Sequence, residues 1–270
     1  MTFEKLASEV CICQAACTMS TPILEVCCGS ADSAVAASQA GADRIELCDN
    51  LVEGGTTPSV GALEFAADKA GIPVMAMIRP RGGDFLYSEL EFEVMLRDAQ
   101  VLAEAGAAGL VFGVLDSDGR IDRRRASLLM ELVRPLPVTF HRAFDLSRDL
   151  EESLETLLEV GADRVLTSVG KASVLDGLDR LSALMERAGD SIVVMPAGGI
   201  RPHNIGKVLA VPGVTEVHIG AAQIRASRMN YRREGVPMGS AYEPDEYVVQ
   251  VADVDRIAFT KSIMADSSDV

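Results

Sequence analysis

The sequence predicts an α/β fold: a closed (β/α)8 barrel, with an N-terminal extension ahead of it and an extra C-terminal segment behind. Three observations carry that prediction. A short pattern recurs four times, as GADRIELC (41–48), GAAGLVFG (106–113), GADRVLTS (161–168) and GVTEVHIG (213–220). Each copy opens on a glycine suited to the left-handed position after a helix and runs on into a short apolar strand. Alternating with these are four apolar strands of a second type, PILEVCCGS (22–30), IPVMAMIRP (72–80), LPVTFHRAF (136–144) and SIVVMPAGG (191–199). Helix-compatible segments separate all eight, which implies parallel pairing, and eight strand-helix units favour closure over a doubly wound open sheet. A length of 270 residues, 48% of them hydrophobic, suits a single barrel.

Along the chain, residues 1–20 precede the first strand and are read as an extension without fixed structure. Residues 21–270 are read as one domain, with the barrel core at about 22–224. The first helix is expected over Ser30–Ala40, a run of small residues. Thr57-Pro58 offers a cap followed by proline at the first helical position, for a helix ending at Gly71. Ser88 with Glu91 forms a capping box, opening a long helix that stops at Gly106. DSDGRID (116–122) lacks the third oxygen position and the distant glutamate of a calcium loop, so it reads as a turn with Asp122 capping the helix 122–133. Further helices are expected at 149–160, 173–188 and 202–210. Residues 225–264 fall outside the repeat, and VVQVADVDRIAF (248–259) reads as a strand or helix packed outside the barrel, or as an oligomer contact.

Forty acidic against 25 basic residues give a formal charge of −15. That balance argues against nucleic acid and anionic membrane surfaces as partners, since both would be repelled. No apolar run approaches the roughly 18–20 residues of a membrane span, and no basic stretch followed by an apolar core marks a secretory signal. A cytoplasmic protein is expected. The six cysteines, at 11, 13, 17, 27, 28 and 48, are read as reduced thiols.

Side chains alternate faces along a strand, so parity separates the barrel interior from the helix-facing layer. The apolar sets, such as Leu24/Val26, Ile45/Leu47, Ala76/Ile78, Val138/Phe140 and Val217/Ile219, suit the helices. The opposite set should then line the interior: Glu25, Cys27, Glu46, Cys48, Met77, Arg79, His141, Thr167 and His218. Buried charges of this kind must pair. They form either a structural ion-pair network or, at the C-terminal strand ends where barrels keep their active sites, a functional one.

At those strand ends, LEVCCGS with GADRIELCDNLVEGGTTPS, VMAMIRPRGGDFLYSE, VFGVLDSDGRID, PVTFHRAFD, RVLTS and VVMPAGGI resemble the copper homeostasis protein CutC family. The resemblance runs from about Pro22 to Ala222 and, more loosely, through MGSAYEPDEY (238–247). It implies a TIM barrel, cytosolic and homo-oligomeric as a tetramer or dimer, that handles copper, with Cys27 and Cys48 as Cu(I) ligands. Cys11, Cys13, Cys17 and Cys28 fall outside the family pattern.

Read on their own terms, Cys27 and Cys48 lie on adjacent strands roughly 4.8 Å apart. Two thiolates there could clasp a soft ion, with Met75 or Met77 adding a sulfur. The plainer alternative is two small buried hydrophobes. CICQAAC (11–17) lacks the fourth ligand of a closed zinc site and reads as part of a reduced extension rather than a copper-capturing tail. His141, followed by Arg142 and Asp145, could act as a general acid or base with Glu25 or Glu46, or sit hydrogen-bonded in a polar barrel mouth. His218 faces the same choice, whereas His203 reads as surface. Arg79, Arg81 and Arg142 crowd the mouth, and the Gly82-Gly83 and Gly198-Gly199 pairs follow strands three and seven. Arg79, Arg142, Gly198 and Gly199 therefore make an anion site. Ser168 lacks a nucleophile context.

Two functions follow. One is a copper homeostasis protein holding Cu(I) through Cys27 and Cys48. The other is a barrel enzyme, a lyase, isomerase or hydrolase, acting on a small anionic or sugar-like metabolite. There Glu25, Glu46 and His141 would move protons while the arginines hold the anion.

Overall fold

Eight strands carry the predicted barrel: β1 Ile23–Cys28, β2 Arg44–Leu47, β3 Val74–Met77, β4 Gly109–Phe112, β5 Val138–Phe140, β6 Arg164–Thr167, β7 Val193–Pro196 and β8 Glu216–Gly220. The computed structural model describes residues 21–233, 235–236 and 245–266. The extension with Cys11, Cys13 and Cys17, and most of MGSAYEPDEY, lie outside the described residues. Every neighbouring pair in the order β7-β6-β5-β4-β3-β2-β1-β8 is parallel. Strands β7 and β8 lie side by side without ladder pairing, so the barrel is nearly closed.

Seven helices sit between the strands: α1 Ala31–Gln39, α2 Val60–Ala70, α3 Glu89–Glu104, α4 Arg123–Val133, α5 Leu150–Val160, α6 Leu178–Ala188 and α7 Ile205–Leu209. Their starts follow from side chains that satisfy the first free amides. The Ser88/Glu91 capping box forms in both directions. Asp122 and Asp149 accept from Arg125 N and Glu152 N, and Asp116 closes the 116–122 turn by accepting from Asp118 N and Arg120 N. The expected Thr57-Pro58 start is displaced. Ser59 caps α2 by accepting from Ala62 N, while Thr57 Oγ1 accepts from Arg79 N and ties the loop to the end of β3. The segment 173–188 splits into a 3-10 turn, Val174–Gly177, followed by α6.

Residues 248–259 are both of the elements the sequence left open. Val248–Ala252 forms β10, antiparallel to β9 at Ala222–Ala226, and Val254–Asp266 forms α8. Helix α8 packs against α7 and α1, the place an eighth barrel helix takes.

The helix-facing layer is the predicted apolar set: Leu24, Val26, Ile45, Leu47, Ala76, Ile78, Val138, Phe140 and Val217 are fully inaccessible. Inside the barrel, register and alternation stack side chains in layers of four from alternate strands. Arg44, Gly109, Arg164 and Glu216 lie lowest. Glu25, Met75, Thr139 and Met195 come next, then Glu46, Val111, Leu166 and His218, then Cys27, Met77, His141 and Ala197. One inward assignment is corrected. Thr167 turns out of the lumen, its hydroxyl donating to Asp145 Oδ1 at 2.6 Å, and Leu166 takes the inward place. Aligning GADRVLTS on GADRIELC puts Leu166 at the position of Glu46, so the repeat carried this signal.

Candidate functional site

The lowest layers hold a buried ion-pair network. Arg44 Nε donates to Glu25 Oε2 at 2.5 Å and its Nη2 bonds Glu216, which also accepts from Arg164 Nε at 2.9 Å. Arg44, Arg164 and Glu216 escaped the sequence reading. They occupy one position of the repeated octapeptide, on the same parity as Glu46 and His218, and were legible there. Glu25 is fully buried, and its other oxygen meets His218 Nδ1 at 2.7 Å.

Above this floor the cluster changes character. His218 Nε2 lies 3.8 Å from Glu46 Oε2, Cys48 Sγ lies 3.6 Å from the same oxygen, and the sulfurs of Cys27 and Cys48 are 3.9 Å apart. The two thiols are not cross-strand partners. Cys27 pairs with Glu46, and the sulfurs meet diagonally because Cys48 continues beyond β2, its amide bonding Cys28 O. Gly55, at φ +96°, lets the following loop close over the pair, where any Cβ would fall 2.9 Å from Cys48 Sγ. Met77 packs against Cys48, with Met75 beside it one layer down. Cys28 faces the helices, and burial followed by the neighbouring Cys27 pushes its thiol up.

Charge is distributed unevenly across these groups. The Cys48 thiol, hydrogen-bonded to Cys27, outweighs burial and, with His218, brings the Cys27 thiol down to about 5. Cys48 itself rises, first through that hydrogen bond and then through burial. Glu46 rises well above the carboxylate range because it is buried beside Cys27, with His218 only partly opposing. Burial disfavours a charged His218, yet Glu46, Cys27 and Glu25 together raise it well above an ordinary histidine. Burial also opposes ionisation of Glu25, but His218 and Arg44 hold it at about 2. Burial and these neighbours thus favour the ionised forms of Glu25 and Cys27 and the protonated forms of Glu46, Cys48 and His218, in one mutually dependent set.

The cluster floors a cavity of about 490 Å³ at the C-terminal barrel mouth, lined by Cys27, Glu46, Met77, His141, His218 and, at the rim, Arg142, Gly198–Arg201 and Arg256. His141 is buried. Its Nδ1 accepts from Ala143 N at 3.1 Å, and Phe85 packs on the ring at 4.9 Å. Burial, then the charge of Arg79, lowers its pKa to about 3. Gly113 makes room for the ring, since a Cβ there would sit 2.4 Å from it. Among the described residues, Glu46 Oε1, His141 Nε2 and Arg79 Nε are buried without a hydrogen-bond partner.

Of the expected anion-binding residues, Arg79 donates to the carbonyls of Glu53, Gly55 and Gly83 and stacks over Phe85, joining the loops after β2 and β3. Arg81 turns away from the cavity to Glu91 and Asp84. Arg142 stays at the rim, with Nε on Asp145 and Nη2 on Ser168 Oγ, beside Gly198. The Ser168 hydroxyl is engaged by Asp145 and Lys171 O.

Together these features define a (β/α)8-barrel protein whose C-terminal mouth opens onto a buried thiol, carboxylate and imidazole cluster. The particular lineage follows from comparison with known proteins. The chain belongs to the CutC family, whose family model matches residues 22–223. It is 49% identical over 241 residues to the human copper homeostasis protein cutC homolog, covering 89% of this chain and 88% of that protein. It is 48% identical to a CutC family protein of Chromobacterium violaceum, covering 87% and 95% of the two chains. The crystal structure of CutC from Streptococcus agalactiae superposes with a TM-score of 0.68 at 33% identity, covering 73% of this chain and 98% of that one. Phosphoribosylanthranilate isomerase from Pyrococcus furiosus shares the barrel alone, with a TM-score of 0.54 at 15% identity over 91% of this chain and 99% of that one.

Proposed function

We propose that this chain handles copper by holding Cu(I) between Cys27 and Cys48. The observation that carries this reading is the sulfur pair, 3.9 Å apart with one member ionised at neutral pH. A linear two-thiolate ion needs sulfurs about 4.6 Å apart, taking the ~2.3 Å zinc–thiolate bond as a yardstick. The pair is thus close to the required span. Sulfur donors select Cu(I) over harder ions, and Met77 stands ready as a third. Charge supplies a second reason. A monovalent ion replacing the proton shared by the two sulfurs leaves the buried cluster's balance unchanged, whereas a divalent ion adds a positive charge beside His218.

The names of the relatives, copper homeostasis proteins, agree with this reading. It fits a reducing compartment such as the cytoplasm, where thiols persist, and no helix among the described residues is long and apolar enough to cross a membrane. The test is anaerobic Cu(I) competition against a tight chelator, in a background where Cys11, Cys13 and Cys17 are serine. One equivalent should bind and be lost in Cys27→Ser/Cys48→Ser. Binding that survives the double substitution refutes the reading.

A second reading, a barrel enzyme on a small anionic or sugar-like metabolite, is favoured by one observation. The cavity is far larger than an ion and is lined by Glu46 and His141, whose Oε1 and Nε2 are buried without partners. In that reading Glu46 and His141 face the ligand, while Glu25, locked between Arg44 and His218, sets the charge of His218 from below.

A further inference from the structure

The upper half of the cavity carries binding chemistry that a two-thiol copper site does not use. His141 is the clearest case. Because Nδ1 accepts the Ala143 amide proton, a neutral ring must carry its own proton on Nε2. His141 lines the cavity, and its Nε2–H is buried there with no partner, a state that costs free energy until an acceptor meets it. Burial and Arg79 keep the ring neutral, so it is a fixed donor rather than a titrating base.

A second observation lies across the cavity. Among the described residues, no hydrogen bond engages the amides of Gly198, Gly199 or Ile200 in the loop after β7. The Arg142 guanidinium lies beside Gly198, and the exposed Arg201 follows, its guanidinium donating to Ile200 O. Asp145 offsets the charge of Arg142, so Arg201, without an ion-pair partner among the described residues, is the cation this rim presents in a chain of formal charge −15. Such a patch concentrates anions whatever the net charge. Loops after the seventh and eighth strands are also where barrels hold phosphate.

We propose that the mouth binds a small phosphomonoester carrying a carbonyl or hydroxyl oxygen, of about pentose phosphate size. The phosphate sits against Arg142, Arg201 and the amides of Gly198–Ile200, and the inner oxygen accepts from His141 Nε2–H. The inference deepens the metabolite reading of the cavity and is independent of copper at the thiols. A cavity of about 490 Å³ is in the range of small-molecule sites.

The experiment uses the full chain, with ribose 5-phosphate, ribose, ribonate and inorganic phosphate titrated by calorimetry, and imidazole nitrogen NMR reporting on His141. Saturable binding of ribose 5-phosphate is expected, with inorganic phosphate weaker and ribose weaker still. Arg201→Ala should weaken the phosphorylated ligand about tenfold while leaving Cu(I) affinity unchanged. His141→Leu should weaken it similarly, and His141→Gln, which keeps an N–H at that reach, should restore it. The His141 Nε2–H signal should shift on binding. No saturable binding, binding indifferent to Arg201→Ala, or equal affinity for ribonate overturns the proposal. Loss of Cu(I) binding in Cys27→Ser/Cys48→Ser with sugar phosphate binding retained separates it from the copper reading.

Discussion

His141 makes acid stability a direct probe of the site. In the unfolded chain this histidine takes up a proton near pH 6.5, whereas in the folded barrel it refuses one until about pH 3. A depressed folded value means its contribution is complete above pH 6.5 and is lost progressively as pH falls toward 3. Between pH 7 and pH 5 the unfolded state gains about 0.7 of a proton that the folded state does not, worth ~2 kcal/mol by linkage. The side chain is only 4% exposed, so solvent screening removes little of this. His218 titrates with the opposite sign, its raised value adding stability at low pH. The measurement is therefore a difference between two proteins, in which His218 cancels. Urea unfolding of the wild type and of His141→Gln, each at pH 7 and pH 5, should show the wild type losing ~2 kcal/mol more on acidification. Equal losses would refute a ring held neutral by burial and Arg79.

The remaining predictions concern the thiols, the barrel floor and the surface. With Cys11, Cys13 and Cys17 changed to serine, ultraviolet thiolate absorbance should rise as one ionisation near pH 5, and Cys48→Ala should move it upward because the hydrogen bond that most lowers Cys27 is gone. An unchanged midpoint would mean the sulfurs do not share a proton. Arg44→Met leaves Glu25 and Glu216 buried without their shared cation, and should cost roughly 3–5 kcal/mol in denaturant unfolding; a loss below about 1 kcal/mol would show the floor is not ion-paired. Strand β9 is exposed along its length, with Ile224 69% accessible. If this edge joins copies of the chain into a dimer or tetramer, Ile224→Asp should reduce the mass seen by light scattering, and an unaltered mass places any contact elsewhere.

Much of this architecture was written into one-dimensional patterns. The glycine-led octapeptide announced four strands, alternation told the helix face from the lumen, and the caps at Ser88, Asp122 and Asp149 marked helix starts. These are local effects, set by backbone geometry and by side chains a few residues away, so short stretches suffice to display them. The same repeat also held Arg44, Arg164, Glu216 and Leu166, which became visible only when its four copies were aligned position by position. Thr57 was misread because its hydroxyl caps nothing nearby. It serves the amide of Arg79, 22 residues on, a partner that only the fold supplies.

What the sequence by itself determined is therefore the barrel, the family, and the convergence of Glu25, Cys27, Glu46, Cys48, His141 and His218 around its axis. Tertiary structure decided how they divide the work. The diagonal meeting of the two sulfurs, the withdrawal of Arg79 into loop carbonyls, and the orientation of the His141 ring depend on register and on contacts between distant strands. So do the charges, because a proton's place among Glu46, Cys27, Cys48 and His218 is fixed by burial and by neighbours a few ångströms away. No spacing along the chain records those distances.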